Sequence, residues 1–424
     1  MQRVAQSTSE QIWDVAVIGG GPAGMMAAGR AAEMGARVIL IEKNKTLGKK
    51  LLITGGGRCN VTNAEFDNKK LLAQFKSGGK YLASPFSQWS VQESLDFFHA
   101  RNMPTKEEPQ RRVFPLSNTA QSVWDTLVGY IKEMGVVVLS NAPVVKLHKE
   151  GGAITAAELK SGRRIHAKKF ILATGGTSHP ETGSTGDAYA WLRELGHTVN
   201  EAGAALVPVA LKDTDVQKAA GISIQKAKIT LYQNDVRHAQ TLGKILFTHV
   251  GLSGPGILNM SRDIGELLTY GEVVIELDFV PDMGYEKINA ELQYIFKEHN
   301  NKMVRNSLRS LIPAALIPII LDRAHIEGET LCNSVTRSAR IELIKQLKHC
   351  RFEVSHLLGM NKAVITAGGI ALTEVDFKSM SSKKYPNLFL VGDVLDIDRP
   401  SGGYSLQLCW TTGYVAGSAA ALER

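Results

Sequence analysis

The stretch Asp14-Val-Ala-Val-Ile-Gly-Gly-Gly-Pro-Ala-Gly24, continued by Met25-Met-Ala-Ala-Gly-Arg-Ala-Ala-Glu-Met34 and Arg37-Val-Ile-Leu-Ile-Glu42, decides the fold. Residues 14–18 are a short apolar run of buried-strand type that ends in glycines. Residues 22–34 are rich in small residues and open with proline, which reads as a helix, and 37–42 is a second apolar run. Strand, helix and strand within about 30 residues form one βαβ unit, the start of an α/β, Rossmann-like fold. Gly19, Gly21 and Gly24 fit G-x-G-x-x-G. Gly19 permits the tight turn, Gly21 lets a pyrophosphate approach the backbone, and Gly24 lets the helix pack close on the sheet. Pro22 and Ala23 begin a helix whose free N–H groups and positive dipole end suit phosphates. Glu42 closes the second strand 18 residues after Gly24, where a carboxylate can accept both ribose hydroxyls of an adenosine. An acid there argues against a 2′-phosphate. The alternative is a glycine turn of purely structural purpose.

FAD and NAD both fit this much, and the far end of the chain separates them. Phe389-Leu-Val-Gly392-Asp393 ends another strand with an acid that can hold a ribityl hydroxyl, a group only a flavin carries. Alone, Asp393 reads as well as a cap or turn residue. Gly402-Gly403-Tyr404 then opens a second helix of small residues. A helix start aimed at the pyrimidine edge of a flavin would stabilise negative charge on the reduced ring. The expected cofactor is non-covalent FAD. A second G-x-G-x-x-G after a strand is absent, so NAD(P)H is expected at most as a transient electron donor, with oxygen as the other possible partner.

Between these ends the pattern changes. Residues 66–103 carry helical signals, and 117–134 read as a helix with Ser117 as N-cap. Residues 136–139 read as a strand, 142–170 as a β-meander, and Lys169–Gly175 as a buried strand followed by glycines. After about 204 the chain is strand-like and then, from 284, helix-like and charged. The expected organisation is a discontinuous FAD-binding domain, 12–204 with 355–424. The inserted substrate or lid region spans 205–354, β-rich over 205–282 and helical over 283–354. Residues 1–11 read as a frayed leader without the apolar core of a signal peptide.

Composition narrows the class. With 424 residues, 44% hydrophobic and 21% charged, the chain is not disordered. Its four cysteines, at 59, 332, 350 and 409, include no C-x-x-C pair, which excludes a disulfide scaffold and argues against a zinc site or dithiol centre. No histidine pair has metal-ligand spacing, so no metal is expected. The apolar run 311–321 holds Pro313 and Pro318 and is too short to span a bilayer, which takes about 20 apolar residues. The reading is a soluble, cytoplasmic protein. Formal net charge is +8, which favours anionic ligands without naming one. The densest basic stretch, Lys160, Arg163, Arg164, Lys168 and Lys169, is expected to be a solvated strand edge that resists sheet-to-sheet pairing, rather than a nucleic-acid patch.

Several of these segments resemble the BaiN/YhiN-type NAD(P)/FAD-dependent oxidoreductases. They are 15–42, Lys49-Lys-Leu-Leu-Ile-Thr-Gly-Gly-Gly-Arg58-Cys59-Asn60, Arg112-Val-Phe-Pro115, Ala173-Thr-Gly-Gly176, Phe247-Thr-His249-Val-Gly-Leu-Ser-Gly-Pro255 and 392–404. They stand in the right order over nearly the whole chain. The resemblance implies an FAD domain of the two-dinucleotide-binding type with an inserted β-barrel-like and helical region. It implies FAD contacts from Gly19 to Gly24, Glu42, Lys43, Arg58, Cys59, Asn60, Val145, Ala173, Thr174, Gly175, Gly392-Asp393 and Gly403-Tyr404. Many relatives carry Gly-Glu at 392–393. It implies chemistry of the enone-reductase or amine-oxidase type on a small molecule.

The catalytic candidates follow from residue type. His249 is a general-acid candidate because histidine titrates near neutral pH and can donate a proton during reduction; the alternative is an ordinary loop histidine. Tyr404 is a second donor candidate, against a packed aromatic, and His179 a third. Cys59 reads first as a small buried filler and second as a flavin-adjacent thiol. A dithiol mechanism lacks its second cysteine. The expected function is hydride transfer between flavin and a small organic substrate. The alternatives are a flavin-dependent RNA-modifying or RNA-binding protein, and a non-catalytic flavin sensor.

Overall fold

The computed structural model describes residues 12–358 and 365–422; the expected leader, 1–11, lies outside them. The chain divides into two compact units, Met1–Gly203 with Ile365–Arg424, and Ala204–Val364.

The first unit is built on five parallel strands in the order Leu388–Leu390, Arg164–Leu172, Trp13–Ile18, Val38–Ile41 and Val137–Leu139. Val15 to Ile18 are at most 3% exposed, as expected of a parallel strand covered on both faces. The first strand pairs with Val38–Ile41 on one side and with Arg164–Leu172 on the other. Its carboxyl end is therefore a topological switch point, the place where open α/β sheets bind ligands. The chain leaves that end through the helix Pro22–Glu33, with Gly21 at its N-cap and Pro22 in its first turn.

The C-terminal helix, Tyr404–Ala421, is buried nearly all round. Its small residues have a specific reason. A Cβ on Gly413 would stand 2.6 Å from the Ala23 carbonyl oxygen, and one on Gly417 would stand 2.5 Å from that of Ala27. The two small-residue helices, from opposite ends of the chain, thus meet backbone to backbone. Arg30 Nε reinforces the crossing by donating to Ser418 Oγ at 2.9 Å.

Some sequence expectations need correction. The helix expected to start after Ser117 spans Ala120–Glu133, and Thr119 caps it by accepting from the Gln121 N–H; Ser117 bonds the Ser122 hydroxyl instead. The strand expected at 136–139 is Val137–Leu139. The basic stretch 160–169 is not a sheet edge. The strand Arg164–Leu172 pairs with three others, and its apolar residues point inward while Arg164 and Lys168 meet Glu158 and Asp14.

The second unit holds a closed antiparallel barrel. Its strands run in the order Val209–Leu211, Gly251–Ser253, Val236–Thr248, Ser223–Gln233, Val273–Asp278 and Cys350–Leu357. Two elements cross the expected division into β-rich 205–282 and helical 283–354. The helix Pro255–Leu268 falls in the first part, and the strand Cys350–Leu357 closes the barrel from the second. The boundary drawn at 354/355 cuts that strand, whose pairing with Val209–Leu211 continues to Leu357. The apolar run becomes a short turn and the helix Ile317–Arg323, with Ile317, Ile319, Ile320 and Leu321 in the core. Among the described residues, no helix is long and apolar enough to cross a membrane.

Candidate cofactor site

At the switch point, the three glycines of the first loop do different work. Gly19 has φ +106°, and a Cβ there would stand 2.4 Å from the Ala173 carbonyl oxygen. A Cβ on Gly24 would stand 1.9 Å from the carbonyl oxygen of Gly19. Both are required by close approach of one backbone to another. Gly21 differs, because a Cβ there would meet nothing within 4 Å. It borders open space at the start of a helix that has no side-chain cap, so the first-turn amides of Ala23 and Gly24 are available to an anion.

Glu42 is 7% exposed and already holds the loop together. Its Oε2 accepts from the Gly20 N–H at 2.7 Å, and its Oε1 accepts from Asn44 N–H at 2.8 Å and Asn44 Nδ2 at 2.9 Å. A carboxylate offers about four acceptor positions, so one is left on Oε2. A single ribose hydroxyl can be received without rearrangement; a second needs the Asn44 side chain to let go. Lys43 reaches Thr185 and, at 2.7 Å, Asp187.

The second half of the site is supplied by the chain's far end. Gly392 takes φ +65°, and its missing Cβ would stand 3.1 Å from that of Ala23, which joins the two ends of the chain directly. Its N–H donates to Thr412 Oγ1 at 3.1 Å. Asp393 is bound by two cations: Arg399, itself 1% exposed, and Lys50, 3.6 Å from Oδ2. Burial alone would raise the Asp393 pKa, but Arg399 and Lys50 outweigh it and hold the carboxyl below its ordinary value. Gly403, at φ +101°, lies so close to Thr62 that a Cβ would stand 2.3 Å from its carbonyl carbon. The adjoining Asn63 Nδ2 donates to the Gly402 carbonyl at 3.1 Å.

The segment 54–60 winds through Gly55, Gly56 and Gly57 at positive φ and continues to Cys59 at φ +58°. Cys59 is fully buried, and burial pushes its thiol up to about 12. It is therefore a neutral thiol at physiological pH, which favours the filler reading over the reactive one. Arg58 is committed to Glu108 at 2.5 Å and stacks over Phe114, so its charge is already balanced. Asn60 Oδ1 is buried and has no hydrogen-bond partner. An orphaned acceptor costs free energy unless a donor reaches it. With the open cradle at Gly21, it is the observation that the residues present fit a bound dinucleotide.

The remaining sequence candidates are placed as follows. Val145 is half exposed on the meander and offers its carbonyl to Trp191 Nε1. Thr174 and Gly175 continue from Ala173, with Gly175 at φ +75° beside Ser184. His179 bonds Glu181 at 2.8 Å. His249 belongs to the second unit, on the exposed turn between Val236–Thr248 and Gly251–Ser253. Tyr404 begins the C-terminal helix, packs edge-on against Phe75, and has its hydroxyl pKa raised by burial. Sequence reasoning missed Arg399, Lys50 and Asn44. The available signal was an isolated arginine six residues after the acid it neutralises.

A parallel-sheet switch point, a glycine cradle from one terminus and an acid and helix start from the other define a Rossmann-domain flavoprotein. The chain belongs to the HI0933-like protein Rossmann domain family, whose model matches residues 13–419, in agreement with the sequence resemblance. It is a flavin-dependent oxidoreductase. It is similar to the 3-dehydro-bile acid delta(4,6)-reductase of Clostridium scindens, at 31% identity over 412 residues, 96% of this chain and 98% of the relative. It is 28% identical to the ribosomal RNA dihydrouridine synthase of Escherichia coli, with 95% and 96% covered. The 3-ketosteroid-delta4-(5alpha)-dehydrogenase of Rhodococcus jostii RHA1, solved with 4-androstene-3,17-dione, shares the fold. Its TM-score is 0.54 at 15% identity, with 99% of each chain covered.

Proposed function

We propose that this protein reduces a carbon–carbon double bond conjugated to a carbonyl in a small organic molecule, with FAD as its cofactor and NAD(P)H as electron donor. The observation that carries this reading is the full-length similarity to a delta(4,6)-reductase, joined to a two-ended cradle that suits FAD. Bound FAD supplies hydride transfer. The chain's own residues bind and orient it: the amides after Gly21 toward the pyrophosphate, Glu42 toward a ribose hydroxyl, Asp393 toward the ribityl chain, and Asn60 Oδ1 toward a donor of the cofactor. Adding hydride to a conjugated double bond leaves charge on the carbonyl side, which a proton must quench. Tyr404, next to Gly403 of the cradle, is the proposed donor. Four buried thiols with no disulfide suit a reducing, cytoplasmic setting.

The test is anaerobic mixing with NADH or NADPH while the flavin absorbance is followed, then addition of an α,β-unsaturated ketone or its saturated counterpart. Bleaching by a pyridine nucleotide and recolouring by the unsaturated ketone alone is the expected result. Recolouring by neither compound contradicts it.

A second reading is favoured by one specific feature. Residues 43–112 carry 13 Lys and Arg against 6 Asp and Glu, close to the whole excess of the chain, and Lys45, Lys49, Lys69 and Lys80 among them are exposed. The pyrimidine ring of uridine also has a double bond conjugated to a carbonyl, and a relative is named for its reduction in ribosomal RNA. On this reading the basic segment would hold the phosphates. Binding of RNA that weakens steeply with salt, together with dihydrouridine formation, would move the substrate from free small molecule to nucleotide.

A further inference from the structure

In the first unit, the Asp393 carboxylate is met by two cations, Arg399 and Lys50. The Arg399 guanidinium uses every nitrogen. Nε donates to Ser405 Oγ at 3.0 Å, Nη1 to the Ile397 carbonyl at 2.7 Å, and Nη2 to Asp393 Oδ1. These anchors belong to three pieces of chain: the turn after the strand Leu388–Leu390, the loop that follows it, and the first turn of the C-terminal helix. A planar fork with five donors can fix three such pieces at once, which a lysine ammonium cannot. Lys50 approaches the free side of the same carboxylate and is itself held by Ser178 Oγ at 2.5 Å. The Lys50 side chain stays partly exposed, and its charge acts on Glu181 as well as on Asp393.

We propose that Arg399 and Lys50 divide two tasks at the cofactor site: Arg399 is the positioning residue that holds Asp393 and the helix start Gly403-Tyr404 in one geometry, and Lys50 supplies a positive charge that favours the reduced, more negative flavin. The proposal rests on the assignment of FAD to this site. The division follows from geometry. Replacing Arg399 by lysine keeps the charge and removes the fork. Replacing Lys50 by glutamine removes a charge and leaves the fork. A favourable charge beside a site where charge develops acts on potential, whereas a lost anchor acts on binding.

The experiment uses the full-length protein, stripped of flavin and titrated with FAD; the midpoint potential of each reconstituted protein is then measured against reference dyes. For Arg399→Lys the FAD dissociation constant is expected to rise ten-fold or more with the midpoint unchanged. For Lys50→Gln the dissociation constant should change less than three-fold. Its midpoint should fall by roughly 30 mV or more, which corresponds to a ten-fold shift of a two-electron equilibrium. Parent-like values of both quantities in both variants, or the two effects exchanged, overturn the proposal while leaving FAD in the site. A folded parent that does not take up FAD overturns the cofactor assignment itself and the proposal with it. If Arg399→Lys does not fold, Ser405→Ala reads the same anchor: a three-fold or greater rise in the dissociation constant supports the positioning role, and no change refutes it.

Discussion

Gly21 and Gly24 stand three residues apart in one motif, yet the structure gives them opposite consequences on substitution. A Cβ at Gly24 would press on the Gly19 carbonyl oxygen, so Gly24→Ala forces the helix off the sheet. Overpacking of this kind costs about 1–3 kcal/mol, and a lower midpoint in urea is expected. A Cβ at Gly21 has room, so Gly21→Ala should unfold within about 0.5 kcal/mol of the parent. It should nonetheless lose at least ten-fold in FAD affinity, because the methyl group occupies the space a pyrophosphate needs. Equal stability losses at the two positions would contradict this distinction. Glu42→Ala removes an acceptor of three hydrogen bonds as well as the ribose contact, and the purified variant should carry little flavin by absorbance. Retention of parent-like flavin would show that the ribose hydroxyls are held elsewhere. Gly24 and Glu42 were legible in the sequence because their neighbours in space, Gly19 and Gly20, are near in sequence. Arg399 was not, because its meaning depends on a loop that folds back on itself around one guanidinium.

At the scale of elements, the crossing of Pro22–Glu33 with Tyr404–Ala421 brings the two ends of the chain together. Gly413→Ala would set a methyl group against the Ala23 carbonyl. It should cost about 1–3 kcal/mol and weaken FAD binding in parallel, since Gly392 packs on the same Ala23. A pH dependence belongs to another junction. His197 Nδ1 meets Glu374 at 2.5 Å, and its Nε2 meets the Ser382 hydroxyl at 3.0 Å. Desolvation lowers the His197 pKa despite the attraction of Glu374, so the folded protein holds it neutral. The unfolded chain binds a proton at His197 near its usual 6.5, so stability falls as pH drops below that value and levels off beneath the folded pKa. The Glu374 pKa is lowered to about 2: burial would raise it, and His197, Thr198 and Lys384 outweigh that. Its contribution is complete above 4.5 and is lost as pH falls from there toward 2. In Glu374→Gln, urea unfolding across pH should show a shallower loss between 4.5 and 2, while the loss below 6.5 persists. An unchanged acid limb would remove Glu374 from the account. Elements with strong local signals, such as 13–18 and 38–41, were legible in the sequence. The strand Cys350–Leu357 was not, because it follows a charged helix directly and is defined by partners more than 70 residues away.

On the scale of the whole molecule, the sequence carried the class because both halves of the cradle end in glycines that only close approach explains. It carried less of the second unit, where a barrel closes through long-range pairing and the alternation of buried and exposed residues is shared by many β folds. The substrate is written least plainly, since it depends on surfaces whose residues are constrained by what they bind. The claim beneath every other is that residues 19–24 and 392–404 together hold one FAD. Equilibrium titration of the flavin-free, folded protein with FAD tests it directly. The expected result is saturable uptake of one FAD per chain, with a perturbed flavin spectrum and a clear loss of affinity in Gly21→Ala. A protein whose circular dichroism is that of the folded chain but whose added FAD stays free would contradict it.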